Sequence, residues 1–240
     1  MNGLTVFDRL FGAGAHALSS EGLFLHGTAR IGKQEAVVIG TRDHAAIDGS
    51  LALQIAEAIL HAVRDDAASS TPPRPIVFIA DTQGQALSRH EELLGLNGYF
   101  AHIGRCVDLA RRRGHCLLTV ISGEAVSGGF LAYGLMADRI CALPDSQVRV
   151  MDLRAMSRVT KISLERLEEL AKESPVFAPG AENYWRMGGI HEIWSEDDDW
   201  PERLATALIK ATSSDDRAEI GLDRGGRLLA ASTAKVVANS

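Results

Sequence analysis

The sequence predicts an α/β fold in which strands buried on both faces alternate with helices. Three observations carry this expectation. Ile76 to Ala80 (IVFIA) and Cys116 to Ile121 (CLLTVI) are short apolar runs, the pattern of strands covered on both sides of a sheet. Around them, apolar residues recur at helical spacing, as at Leu51, Ile55, Ile59 and Val63. Each run then ends in a polar, glycine-bearing stretch. Strands alternating with helices imply crossover connections within one α/β architecture.

The elements follow in order. The first twenty residues carry Asp8 and Arg9 and lack a basic start, so they make a poor secretory signal and read as a short amphipathic arm. Glu35 to Arg42 has the β-branched run of a strand. Gly49 to Asp66 reads as a helix with Asp48 as its N-cap. The Pro/Ser-rich piece from Ser69 to Pro75 is a loop into the first buried strand. Ile103 to Arg113 is helical and Gly114 stops it. After the second buried strand, Ser127 to Met136 reads as a glycine-started helix, and Arg139 to Leu143 as a strand. Helices near Ser163–Lys172, Ala181–Met187 and Pro201–Ala211 precede a C-terminal helical tail. The 240 residues are expected to form one domain, with no long linker or repeat.

Composition narrows the function. A hydrophobic share of 46% with 23% charged residues suits a globular protein, and no uncharged apolar run approaches the roughly 18 residues of a membrane span. The formal charge of −6 argues against nucleic acid as the main partner. Cys106, Cys116 and Cys141 show no CxxC spacing and read as buried, reduced thiols of a cytoplasmic protein. The scattered histidines give no metal-ligand spacing, so no metal site is expected. Gly12-x-Gly14 lacks a preceding strand and makes no dinucleotide site. Arg111-Arg112-Arg113 closes a helix, where cations suit the dipole, and also offers a contact for an acidic partner such as a carrier protein.

The chemistry is expected at the two strand tips, Asp81-Thr82-Gln83-Gly84-Gln85 and Ser122 to Gly129, because ligands in open α/β sheets gather at the carboxyl ends of strands. Free N–H groups at a helix start donate to an anion, and glycines let a ligand oxygen come close to the backbone. Two such donors converging on one oxygen make an oxyanion hole. Close helix–strand packing explains a Gly-Gly pair equally well when the pair is taken alone.

The wider pattern favours the site. Gly123-Glu-Ala-Val-Ser-Gly128-Gly129-Phe-Leu-Ala, followed by Ala137-Asp138-Arg139-Ile140-Cys141-Ala142, resembles the crotonase superfamily signature. Tyr184 to Ile193 is similar to a later element of that superfamily. The Asp81-Thr82-Gln83-Gly84 turn resembles the Asp-Thr-Pro-Gly turn of biotin-dependent carboxyltransferases, with Gln83 in place of proline. DTQGQALSRHEELLGLN and SPVFAPGAENYWRMGGIHEIW look most like the gamma subunits of malonate decarboxylases. The resemblance implies a crotonase (ClpP/crotonase-like) fold and a site built from Gly128, Gly129, Gly84, Gln85 and Ser127. The helix-start donor would be the Gly128 N–H, and the second donor would come from the turn around Gly84, with the Gln85 N–H as a candidate. Thr82 and Gln83 would edge the substrate. Arg89-His90-Glu91-Glu92 follows the turn, where Arg89 either edges the site near a carboxylate or belongs to a solvated helix start, the reading that polar run favours.

The resemblance also implies a homologous beta subunit as heterodimer partner, an acyl carrier protein and an acyl transferase subunit. The substrate would be a malonyl group on a phosphopantetheine-type arm of the carrier, and no cofactor would belong to this chain. No Met-Lys pair marks a biotin attachment site. Whether this subunit holds the enolate or the carboxylate and departing CO₂ stays open. Val176-Phe177 and Tyr184-Trp185 lie where such domains meet partners, and core packing suits them equally.

Rival readings stand beside this one. A Clp-type serine protease would use Ser127 as nucleophile, but the position of its histidine base holds Met151, which accepts no proton. An acyl-CoA hydratase or isomerase would place a carboxylate on the glycine helix, where Phe130, Leu131, Ala132 and Tyr133 stand instead. A carboxyltransferase subunit and a catalytically silent scaffold complete the alternatives.

Overall fold

A computed structural model describes residues 3–69, 71–173, 178–211 and 214–239. The chain opens with α1 (Gly3–Phe11), the strands β1 (His16–Glu21), β2 (Phe24–Ile31), β3 (Gln34–Thr41) and β4 (Ala45–Ile47), and the long helix α2 (Gly49–Ala67). β5 (Ile76–Gln85), α3 (Arg89–Leu93), α4 (Leu96–Arg112), β6 (Leu117–Val126) and α5 (Ser127–Leu131) make the centre. β7 (Arg139–Ala142), β8 (Gln147–Arg149), α6 (Leu153–Thr160), α7 (Leu164–Glu173), α8 (Ala181–Arg186), β9 (Glu192–Ile193), α9 (Trp200–Lys210), α10 (Arg217–Asp223) and α11 (Ala230–Ala238) follow. Among the described residues no helix is long and apolar enough to cross a membrane.

The strands form one sheet in the order β1-β2-β3-β5-β6-β7-β9, with β4 beside β5 and β8 beside β6. β1, β2 and β3 run antiparallel, and the strands from β3 onward pair in parallel. Alternation along the central strands builds a core on each face. Ile76, Phe78 and Ala80 of β5 join Leu117 and Ile121 of β6 under α2 and α4, where Ile55, Ile59, Ile103 and Val107 meet them. Val77 and Ile79 join Leu118 and Val120 on the opposite face, covered by Phe7, Leu10 and Phe11 of α1 and by Trp200 and Leu204 of α9. The expected N-terminal arm is therefore a helix seated on the sheet. Asp48 caps α2 as its sequence position suggests, accepting the Leu51 N–H at 2.8 Å.

Three expectations change. The central strands continue past their apolar runs, to Gln85 and Val126, because β4 pairs with the tip of β5 and β8 with the tip of β6. The helix expected from Ser127 to Met136 ends at Leu131, and a 3₁₀ turn covers Gly134–Met136. Tyr133, at φ −132° and ψ −51°, leaves the helical region between the two, and Thr119 Oγ1 donates to the Gly134 carbonyl at 2.8 Å. All three cysteines are free, but Cys116 is half-buried where burial was expected. Burial still pushes its thiol up to about 11.

Candidate active site: two strand tips and a glycine helix start

The sheet brings the tips of β5 and β6 side by side, with Thr82 opposite Ala125. Asp81 braces them. Its carboxylate accepts the Glu124 N–H at 3.0 Å and the His44 N–H at 3.2 Å, and pairs with the His44 ring at 2.9 Å. Thr82 is fully buried, and its hydroxyl donates to the Ala45 carbonyl at 2.6 Å and accepts the Gly84 N–H at 3.0 Å. Expected at the substrate, Thr82 is instead spent inside the turn that shapes the site. Tyr133 is likewise interior: its hydroxyl sits 3.0 Å from Thr41 Oγ1, and burial raises its pKa well above the usual phenol range.

Gly84 adopts φ +103°, a region that L side chains rarely enter, and so turns the end of β5 toward α5. Ser127, at φ +49°, turns the end of β6 directly into the helix start. The two turns then touch. A Cβ on Gly129 would lie 2.9 Å from both Gly84 Cα and Thr82 Oγ1, so only glycine permits this approach. Gly128 faces outward from the contact, and its N–H donates to the side-chain Oε1 of Gln85 at 3.1 Å. That carboxamide oxygen stands in for the kind of acceptor that a substrate carbonyl would offer. Gly84, Gln85, Ser127, Gly128 and Gly129 thus come together, whereas Gly84's own N–H is committed to Thr82.

Comparison with known proteins decides what this arrangement belongs to. The family model described as malonate decarboxylase gamma subunit matches residues 45–240. The chain is 32% identical over 229 residues to the malonyl-S-ACP:biotin-protein carboxyltransferase MADD of Malonomonas rubra, covering 85% of this chain and 78% of the relative. The chain belongs to the malonate decarboxylase gamma subunit family. Among solved structures, a Pseudomonas malonate decarboxylase hetero-tetramer in complex with coenzyme A superimposes with a TM-score of 0.83 at 24% identity, over 99% of this chain and 98% of that one. A Pseudomonas MdcD–MdcE hetero-dimer gives a TM-score of 0.78 at 24% identity, over 99% and 98%. A transcarboxylase 12S structure gives 0.68 at 16% identity, over 86% of this chain and 40% of that one. The fold is that of the crotonase-like carboxyltransferases.

In this family member Gly84 and Gly129 are buried at the contact of the two turns, and neighbouring residues reach the surface. Gln83 is exposed, Ser127 and Gly128 are half-buried, Leu87 is 83% exposed and Leu131 36%. Arg89 heads α3, exposed and without an ion pair among the described residues. No hydrogen bond links Ser127 to a histidine among the described residues, and Met151 stands half-buried after β8. Glu124 lies at the rim, paired with Arg149 at 3.2 Å. Tyr184 and Trp185 are half-buried against the main core, while Val176 and Phe177 lie outside the described residues. Arg111, the first of the basic run, is drawn back onto the body by Asp138 at 2.7 Å.

Sequence reasoning missed two features of the site. One is the Gln85 side chain as partner of the Gly128 amide; no local signal marks a contact between residues 43 positions apart. The other is the brace at Asp81, which the match to the carboxyltransferase turn could have suggested. A Cβ on Gly123 would fall 2.4 Å from Asp81 Oδ1, so this glycine makes room for the brace.

Proposed function

We propose that this chain is one half of a biotin-independent malonyl thioester decarboxylase, in which a homologous beta-type subunit closes the site. The substrate is a malonyl group on the phosphopantetheine-type arm of an acyl carrier protein, loaded by an acyl transferase subunit. The observation that carries this reading is the Gly128 amide held at the apposed glycine turns and answered only by a movable side chain, in a member of this family.

The chemistry follows from charge. As the bond between the α-carbon and the carboxylate breaks, its electron pair passes to the α-carbon and into the thioester, whose oxygen becomes negative. An amide that binds this oxygen more tightly than the neutral carbonyl lowers the barrier. Protonation of the α-carbon then gives the acetyl thioester. Gln85 Oε1 yields its place on the Gly128 N–H to the incoming oxygen, and the Gln85 backbone N–H is the second donor. A covering subunit would exclude water and strengthen these contacts. The exposed rim at Leu87 and Leu131 supports the need for such a cover.

A second reading is favoured by the Malonomonas relative, whose name specifies transfer of the carboxyl group to a biotin protein. Biotin would then sit on another chain. Both readings are tested by incubating malonyl carrier protein with this chain, with and without its beta-type partner, while CO₂ is measured. Release by the pair without biotin is the expected outcome. Turnover only after adding a biotinyl protein would move the assignment to carboxyl transfer. Comparable turnover by this chain alone, shown to be free of partner, would overturn the two-subunit reading.

A further inference from the structure

The Gln85 side chain is held differently from its neighbours in the β5 turn. Asp81 and Thr82 are each fixed by two or more hydrogen bonds, to backbone groups on either side of them. The Gln85 carboxamide is half-buried, and among the described residues its one hydrogen bond is that from the Gly128 N–H to Oε1, at 3.1 Å. No local group competes for that N–H, because the residue that caps α5 is Val126, whose side chain has no acceptor.

The Gln85 backbone faces the same place. Ala86 N–H donates to the Ile47 carbonyl of β4 at 2.8 Å. Successive N–H groups alternate between the two edges of a strand, so the Gln85 N–H points to the other edge, where β6 runs and α5 begins. One residue thus carries a donor of the candidate site in its backbone. Its side chain carries the acceptor that closes the other donor.

We infer that the Gln85 carboxamide is a displaceable cap, an internal ligand that closes the Gly128 amide between turnovers and helps to expel the neutral product. The inference rests on the thioester chemistry of the proposed function and names the regulation of that site. One hydrogen bond between neutral groups contributes modestly, enough for the closed state to outweigh the open one about two- to tenfold. A ligand that must displace the cap binds more weakly by that factor. A thioester carbonyl is a weaker acceptor than a carboxamide, because sulfur donates less electron density into its carbonyl than nitrogen does. An enolate oxygen is a stronger acceptor, since its charge reinforces the bond. The cap therefore yields as charge builds on the substrate. It returns once protonation of the α-carbon leaves the carbonyl neutral.

The test uses the assembled complex and acetyl-pantetheine, the neutral product on the arm without the carrier. Gln85→Ala removes the acceptor, so the Kd of acetyl-pantetheine falls about two- to tenfold, and product inhibition of malonyl-pantetheine turnover tightens by the same factor. Gln85→Glu puts a charged acceptor at the same reach, which holds the amide more firmly, so Kd rises. A residue that merely shapes the turn would move both variants in one direction. That result would overturn the inference, as would an unchanged Kd in Gln85→Ala. Exchange of the Gly128 amide hydrogen, followed by NMR in the full chain, reads the contact without substrate. It speeds up in Gln85→Ala, and equal rates in the two proteins would show that the cap does not form. A parent complex that released no CO₂ from malonyl thioesters would overturn the functional reading, and product expulsion with it. An active complex whose product affinity ignored Gln85→Ala would overturn the cap alone.

Discussion

Two of the junctions that rely on missing side chains put the freed space to different uses. At the first, Gly129 lets α5 approach the Gly84 turn, and the Gly128 amide is left with a movable side chain as its partner. At the second, Gly221 of α10 and Gly226 press against the end of α8. A Cβ on Gly221 would lie 2.5 Å from the Met187 carbonyl, and one on Gly226 2.1 Å from that of Arg186. Here the polar groups are consumed locally. Arg224 donates to the carbonyls of Trp185, Ile190 and His191 at 2.7–3.0 Å, with its guanidinium 4.2 Å over the Trp185 ring. Arg217 donates to the Leu135 carbonyl at 2.7 Å. Close glycine packing is common to both. A backbone donor that the fold does not lock separates the candidate site from a seam.

The largest expected effect tests the first junction. A Cβ on Gly128 would meet only the Gln85 carboxamide, at 3.1 Å from Oε1, and that flexible group can rotate away. Gly128→Val should therefore fold and assemble, yet block approach to the amide. Loss of one oxyanion donor costs about 2.7–4 kcal/mol, or 10²–10³ in kcat. Circular dichroism and size-exclusion should match the parent complex while CO₂ release collapses. Retained decarboxylation at near the parent rate would remove Gly128 from the chemistry.

At the second junction the expectation reverses. Arg224→Leu leaves the Ile190 and His191 carbonyls without their side-chain donor, while Trp185 keeps the Gly188 N–H, and it removes the contact over Trp185, costing about 1–3 kcal/mol of stability. The denaturation midpoint should fall, while kcat of the assembled complex changes little below that midpoint. A selective loss of kcat without destabilisation would make this seam part of the site.

The contrast also explains what the sequence reveals. The central strands, α2 with its Asp48 cap, and the glycine turns were legible because apolar periodicity and capping are local signals. β1 and β2 escaped it: HALSSE and FLHGTARI mix apolar, polar, histidine and glycine residues, and their pairing supplies the order. The ends of β5 and β6 escaped for a related reason, since β4 and β8 supply their ladders from elsewhere in the chain. That Gly84, Gln85 and Gly128 come together was legible from the two strand tips, but the side-chain contact on the Gly128 amide exists only after the tips meet. Thr82 shows the reverse: a polar residue in a site motif whose hydroxyl the fold turns inward.

The smallest effect sharpens the second junction through pH. The His191 side chain is 3% exposed, its Nδ1 accepts the Ile140 N–H at 3.0 Å, and its Nε2 faces Asp216 Oδ1 at 3.5 Å. Nδ1 must be unprotonated to accept that bond, so the proton belongs on Nε2. Burial lowers the pKa of this ring, and Arg139 and Arg217 lower it further, against the opposing pull of Asp216. The unfolded ring binds a proton near pH 6.5, whereas the folded ring resists until lower pH. The unfolded state therefore binds more protons in that interval, and stability falls as the solution is acidified from about pH 7 through 6.5 and below. Each unit by which the folded pKa is depressed is worth about 1.4 kcal/mol when fully expressed. Paired carboxylates such as Asp215 carry lowered pKa values and lose their stabilisation as pH falls through the usual carboxylate range and below, beneath this interval. Urea midpoints of the parent and of His191→Asn should therefore diverge at pH 7.5 and converge toward pH 5.5, because the asparagine has no proton to gain. Parallel pH profiles for the two proteins would show that His191 does not titrate against folding.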